Sequence, residues 1–379
     1  MGNERPLRIG VIFGGRSSEH EVSLASARNV MDALTTAGYA VVPIGITPQG
    51  HWLTSSDPMK LLVEPTSEAQ NHGVNGSTLS SHHGNGHNDS WALLPQSKNG
   101  TPLPTIDVLW PVLHGPYGED GTIQGMLEMA NLPYVGCGVL ASAVCMDKAL
   151  AKVVFAACGL PQTPWFVVMR NHWKQSPEMA LDEIEQNLGD YPFFVKPANL
   201  GSSVGISKAR NRSELAKALT LAARFDRKLL VEKAVPNARE LEISVLGNDD
   251  PIASVPGEIK PGNEFYDYAA KYLDDNSDLI IPANLSAELI ERMQLMAIQA
   301  FKAADASGLA RVDFLMDGVS ERIFLNEVNT MPGFTRISMY PKLFEASGVS
   351  YPELADKLIK LALDRYADRQ MNETSRTIN

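Results

Sequence analysis

The chain has 379 residues, 44% of them apolar and 20% charged, a balance that excludes a disordered chain or a small disulfide-stapled module and suggests two or three domains. Its net charge of −11 argues against a general nucleic-acid binder, which would carry a basic face. No apolar run reaches the ~18–20 residues that cross a bilayer, and Cys137, Cys145 and Cys158 form no CxxC or zinc spacing. With no charged-then-apolar leader before the first strand, the sequence predicts a soluble, cytoplasmic protein with reduced thiols.

Leu7–Phe13 reads as a strand stopped by Gly14-Gly15. Ser18 and Glu21 predict a capping box for a helix on which Leu24, Ala27, Met31 and Leu34 recur at helical spacing, ended by Gly38. Ala40–Ile46 and Ile106–Leu113 are predicted strands, so this third of the chain is an open α/β pattern. Residues 64–105 break the composition. Asn71–Asn88, almost entirely His, Asn, Gly and Ser, reads as a solvated insertion, since no stiff element there would fix metal-ligand geometry.

A second unit is predicted from Gly136. Its helix, Ser142–Cys158, puts Met146, Leu150, Val153 and Ala157 on one face and stops at Gly159-Leu160-Pro161. Strands Trp165–Met169, Pro192–Lys196 and Leu229–Glu232 flank two helices, one opened by Ser176-Pro177. A third unit runs from strand Glu240–Leu246 through a polar, Tyr-rich loop, Gly257–Ser277, to a helix over Ser286–Ser307. Strands Ala310–Met316 and Arg322–Val328 and a helix over about 352–369 complete it.

Three glycine-rich segments suggest ligands. Gly136-Cys137-Gly138-Val139-Leu140-Ala141 fits a loose dinucleotide pattern, but it follows no clear strand and reads as a turn into a helix. No Gly-Lys dipeptide occurs, so a Walker A loop is excluded. Asn199–Gly205, between two strands, suits either a plain hairpin tip or a loop folding over phosphates. Gly14–Glu19 lies at a helix N-terminus, where Glu19 and Glu21 favour an ammonium group over an anion.

Near the C-terminus, strand alternation puts Arg311 and Asp313 on one face and Val312 and Phe314 on the other. Glu327 and Asn329 also share a face, and the Asp317-Gly318 turn lets the two strands pair. Such a hairpin is either a solvated surface element or a Mg²⁺ site of hard oxygen ligands with Arg311 beside it. The run into Thr330-Met331-Pro332-Gly333-Phe334-Thr335 favours the site.

These features occur in one order with further motifs: His114-Gly115-Pro116-Tyr117-Gly118-Glu119-Asp120-Gly121, Met146-Asp147-Lys148, Val195-Lys196-Pro197, Glu232-Lys233 and Arg239-Glu240. Phe265–Tyr272 and Asn326–Thr335 continue the series. Together they resemble the D-alanine–D-alanine ligases of the ATP-grasp superfamily over about residues 7–365. The resemblance implies an α/β fold, α+β in parts. Its units would be an N-terminal Rossmann-like domain (1–136), a central α+β domain (137–232) and a C-terminal α+β domain (233–379), with the nucleotide between the last two. It also implies a homodimer, ligation of two D-alanines with ATP for peptidoglycan, and no nucleic-acid or membrane partner.

By motif, the resemblance gives Lys148, Lys196 and Lys271 contacts to the nucleotide or its phosphates, beneath a loop of Gly201, Ser202, Ser203 and Val204. Glu232 and the backbone of Lys233, Ala234 and Val235 would read adenine, and Glu240 the ribose. Asp313, Glu327 and Asn329 would hold two Mg²⁺ ions, for which Mn²⁺ can substitute. Glu19 and His114 would bind the first D-alanine, with Glu19 orienting its ammonium group and bridged to Ser202 and Tyr272. Arg311 and the Gly333 N–H would form an oxyanion hole, and Ser338 and Met339 would receive the second carboxylate. Tyr272 favours an amine acceptor over D-lactate. Ala269 where an acidic residue is expected, Arg336 near the acceptor side, and the His-rich insertion depart from the family pattern. A different ATP-grasp ligase, a catalytically silent nucleotide-binding regulator and a dinucleotide oxidoreductase are the competing readings.

Overall fold

The structure, a computed structural model, describes residues 5–53, 57–63, 105–260 and 278–373. The His-rich insertion (except residue 105) and the positions of Ala269, Lys271 and Tyr272 lie outside the described residues.

Apolar runs at the start build a sheet ordered β3-β2-β1-β4. Its strands are β1 (Arg8–Gly14), β2 (Ala40–Ile46), β3 (Trp52–Leu53) and β4 (Val108–Val112). β1 pairs in parallel with both β2 and β4, as expected when helical crossovers join the strands. Helix α1 (His20–Thr36) lays Leu24, Ala27, Val30 and Leu34 on this sheet. Short helices α2 (Pro58–Val63) and α3 (Thr122–Met129) flank it.

α4 (Val139–Met146) and α5 (Lys148–Ala157) lead to a four-stranded antiparallel sheet ordered β5-β8-β6-β7. It comprises β5 (Trp165–Met169), β6 (Phe193–Pro197), β7 (Ser207–Ala209) and β8 (Lys228–Lys233). α6 (Arg170–Gln175), α7 (Pro177–Leu188) and α8 (Arg212–Ala222) accompany it, with Ile184 of α7 and Leu219 of α8 in its core.

The last sheet runs β12-β11-β9-β13-β14, with β10 on β9. Its strands are β9 (Ala238–Gly247), β10 (Ile252–Ala253), β11 (Gly257–Lys260), β12 (Asp278–Ile280), β13 (Gly308–Asp317) and β14 (Ile323–Asn329). Helix α9 (Ala287–Ala303), capped by the Ser286 hydroxyl on the Leu289 N–H, packs Met293, Ala297 and Phe301 beneath it. α10 (Met339–Ala346) and α11 (Tyr351–Arg369) follow. Leu354, Leu358 and Ile359 of α11 share one core with β1 and α1, so the end of the chain closes over its beginning. Among the described residues no helix is long and apolar enough to cross a membrane.

Several expectations are corrected. α1 is N-capped by Glu19 without a side-chain cap bond, so Ser18 and Glu21 form no capping box. The helix expected over Ser142–Cys158 is two helices, because Asp147 ends one in extended conformation and caps the next by accepting from the Leu150 N–H. On the second of these, Leu150 and Val153 face solvent, and Ala149, Ala151, Lys152 and Phe155 are buried instead. The first four residues of the expected Tyr-rich loop, Gly257–Lys260, are a sheet strand.

Arg365 ties these parts together. Its guanidinium donates to the carbonyls of Gly136 and Tyr134 and to Ser307 Oγ, and it stacks 4.4 Å from the Tyr134 ring centroid. Arg365→Ala leaves two carbonyls without their charged donor and is expected to cost about 3 kcal/mol in urea unfolding; a loss below about 1 kcal/mol would contradict this role.

Candidate functional site

The site begins where β1 ends. Glu19, at the N-terminus of α1, is 6% exposed, and its N–H donates to Ser17 Oγ at 3.0 Å. Gly115, in the loop after β4, passes so close that a Cβ there would lie 2.5 Å from Glu19 Oε2 and 2.6 Å from Ser17 Oγ. With φ at +76°, that position requires glycine for conformation as well as space. His114 is buried beside it, with Nε2 3.1 Å from Ser26 Oγ and Nδ1 3.1 Å from the Met331 carbonyl oxygen. Burial works against its charge, yet Glu119 Oε1, 3.4 Å away, and Glu19 hold its pKa above the ordinary histidine value.

The hairpin loop between β6 and β7 comes over from the other side. Ser202 and Ser203 sit at φ +53° and +57°, and Ser202 Oγ donates to Glu19 Oε1. A Cβ on Gly201 would lie 3.2 Å from Glu19 Oε2. Lys148, the first residue of α5, donates to the Leu200 carbonyl at 2.9 Å and lies 3.4 Å from Glu327 Oε2. The predicted ammonium receptor, the glycine loop and a carboxylate of the C-terminal hairpin are therefore joined by direct contacts.

In that hairpin Asp313 stands opposite Glu327, and Arg311 opposite Asn329. A register shift after Asp313 inserts Asn326 as an extra residue, so Asn326 and Glu327 are both partly exposed where strict alternation would bury one. Arg311 donates to both oxygens of Asp313 at 2.7 Å and lies 3.0 Å from Glu242 on β9. Burial disfavours its charge, but Asp313 and Glu242 raise its pKa well above the ordinary value. Asn329 Oδ1 accepts from the Met331 N–H at 2.9 Å. Among the described residues no group of three or more His, Cys, Asp or Glu could hold a metal unaided.

On the sheet of β8, Glu232 is buried between two lysines, Lys152 Nζ at 2.6 Å and Lys196 Nζ at 2.5 Å. Burial alone would push its carboxyl up; the lysines outweigh that and hold it well below the usual carboxylate range. Lys196 also donates to Asn326 Oδ1 at 3.3 Å, and its pKa is raised despite burial by Glu232, Glu327 and Glu240. The N–H groups of Lys233 and Ala234 bond to the carbonyls of Pro164 and Pro192, which fixes the strand end leading to Val235.

The turn after β14 brings Gly333 against Ser338, whose hydroxyl accepts from the Thr335 N–H at 3.0 Å and contacts Thr335 Oγ1 at 2.8 Å. Ser338 is the N-cap of α10, and the Met339 side chain is buried with Ile259 and Leu343, so Met339 can offer a ligand only its main chain. Arg336 is exposed.

Comparison with known proteins gives the family. The model of the D-ala D-ala ligase N-terminus matches residues 8–137, and that of the C-terminus matches residues 154–360. The chain belongs to the D-alanine–D-alanine ligase family. The D-alanine–D-alanine ligase of Heliobacterium modesticaldum is 53% identical over 97% of this chain and 98% of its own. The solved D-alanine–D-alanine ligase from Coxiella burnetii superposes with a TM-score of 0.79 at 36% identity, covering 96% of this chain and 97% of that one. The VanG D-Ala:D-Ser ligase from Enterococcus faecalis gives the same TM-score and identity over 94% of this chain and all of its own. The fold is the ATP-grasp fold of these ligases.

Three side chains of this cluster were not anticipated. Glu242 was legible, since Glu240, Glu242 and Ser244 alternate along β9 as its polar face. Lys152 follows Lys148 at i+4, a spacing that puts both on one side of α5. Asn326 reaches Lys196 only because of the bulge, for which the sequence carries no signal.

Proposed function

We infer that the chain joins two D-alanines into D-alanyl-D-alanine for peptidoglycan, converting ATP to ADP and phosphate through a D-alanyl phosphate. The observation that carries this reading is Lys148, which spans from the Leu200 carbonyl to Glu327 while Ser202 of the same loop reaches Glu19. An amino acid held by its ammonium group at Glu19 thus lies next to a loop suited to phosphates and to a carboxylate hairpin. Family membership supports the same activity.

A carboxylate is resonance-stabilised and resists an amine; phosphorylation converts it into a good electrophile. Lys148, Lys196 and Lys271 offset charge on the phosphates, and Gly201–Val204 cover them with backbone N–H groups. Asp313, Glu327 and Asn329 present only hard oxygen donors, which fits Mg²⁺, or Mn²⁺ in its place, with phosphate oxygens and water completing the shell. Two such ions, held by Asp313, Glu327 and Asn329, would supply positive charge to offset that of the nucleotide phosphates during transfer.

Glu19, with Ser202 and Tyr272, fixes the first D-alanine so that its carboxylate faces the γ-phosphoryl group. Ser338 and the Met339 N–H receive the carboxylate of the second. The neutral amine of the second attacks the acyl carbon, a C–N bond forms, and the carbon–oxygen bond to phosphate breaks, the proton lost from the amine going to the departing phosphate. Arg311 and the Gly333 N–H stabilise the oxyanion of the tetrahedral intermediate. Glu240 holds the ribose, the strand end at Lys233, Ala234 and Val235 receives the adenine, and His114 steadies the wall beside Glu19. The protein acts as a cytoplasmic homodimer whose three units divide near residues 136 and 232.

Phosphate release with D-alanine, L-alanine, D-alanine plus D-lactate and D-alanine plus D-serine, with products identified by mass, tests the reading. D-Alanine alone is expected to support turnover and yield the dipeptide. ATP turnover that needs another amine or acid would discard the substrate assignment.

A further inference from the structure

Lys152 has no part in the steps above, yet it is 2% exposed and its ammonium group lies 2.6 Å from Glu232 Oε1. Lys196 takes the other oxygen of Glu232, and Thr163 Oγ1 donates to the first at 3.2 Å. A buried charged side chain is costly unless it is paired, so a second lysine at an already paired carboxylate needs a reason. Two cations on one anion leave a net positive charge. With Lys152 removed, the pair would be neutral and Glu232 could close on Lys196 with both oxygens, drawing it from Asn326.

We propose that Lys152 is a positioning residue for nucleotide phosphate binding: it occupies one oxygen of Glu232 so that Lys196, on the other, is not drawn fully onto that carboxylate and keeps its reach toward Asn326 and the adjoining Glu327. The proposal rests on the reading of Lys196 as a phosphate-binding lysine. It also changes the role of Glu232, whose carboxylate strings the two lysines together, so that recognition of adenine falls to the backbone that follows. The helix supplies the means. Lys148 and Lys152 sit one turn apart on α5, so a single element sets one lysine at the glycine loop and the other behind Glu232.

The test compares binding of ADP and of adenosine by the full-length protein, because only ADP carries phosphate. Lys152→Met is expected to weaken ADP binding about tenfold and adenosine binding less than about twofold. Lys152→Gln carries the same expectation and serves if the methionine variant does not fold. Lys152→Arg keeps the charge and is expected to restore the ADP-to-adenosine affinity ratio to within about threefold of the parent. Equal weakening of both ligands, or of neither, in the neutral variants would overturn the proposal and leave Lys152 as a packing residue. Lys196→Met is the control for the underlying reading: it should lower ADP affinity selectively, and if it does not, the phosphate role of Lys196 fails first.

Discussion

Arg311→Met is expected to lower kcat by about 10³-fold, near the upper range for loss of one oxyanion donor because this donor carries full charge. Its guanidinium donates two hydrogen bonds to Asp313 and makes a third carboxylate contact with Glu242, so it has little freedom to leave the position proposed for the oxyanion. The methionine variant also leaves those carboxylates without their cation, so thermal unfolding is measured alongside. Arg311→Lys keeps the charge but cannot span Asp313 in two bonds, and is expected to recover only part of the rate. A folded methionine variant with kcat within about tenfold of the parent would remove Arg311 from the chemistry.

Glu19→Gln is expected to raise the KM for the first D-alanine about 10²-fold, the scale of losing one partner of a buried charge pair. The Glu19 side chain is walled by Ser17, Gly115 and Gly201, so an ammonium group bound there would meet a carboxylate screened from water. Glutamine keeps the size and an oxygen for the Ser202 hydroxyl, which confines the change to charge. Binding of ADP should be unaffected, because the variant keeps the contact to Ser202 of the glycine loop. An unchanged KM for D-alanine with normal folding would show that the ammonium group sits elsewhere.

The carboxylate hairpin was legible because period-two alternation and a turn residue leave few registers: Arg311 and Asp313 had to share a face, and they do, with Asp313 opposite Glu327. The split at Asp147 was not legible, since Met146, Leu150 and Val153 keep helical spacing across it. Only the Asp147 side chain, folded onto the Leu150 N–H and paired with Lys228, reveals that the helix restarts. α10 was hidden for a related reason: Pro341 inside an eight-residue helix reads as a breaker, whereas within the first turn it removes no helical hydrogen bond. Contacts that join distant segments, such as Lys152 with Glu232 or Ser202 with Glu19, depend on how the sheets meet, which no local pattern encodes.

The central claim is that the carboxylate of one D-alanine is phosphorylated before the second attacks. D-Alanine labelled with ¹⁸O in its carboxylate, turned over with ATP, tests this most directly. Transfer of one labelled oxygen from the carboxylate of the first D-alanine into the released phosphate, for each dipeptide formed, is the predicted result. Phosphate released without label, or ATP turnover that does not require D-alanine, would contradict the account.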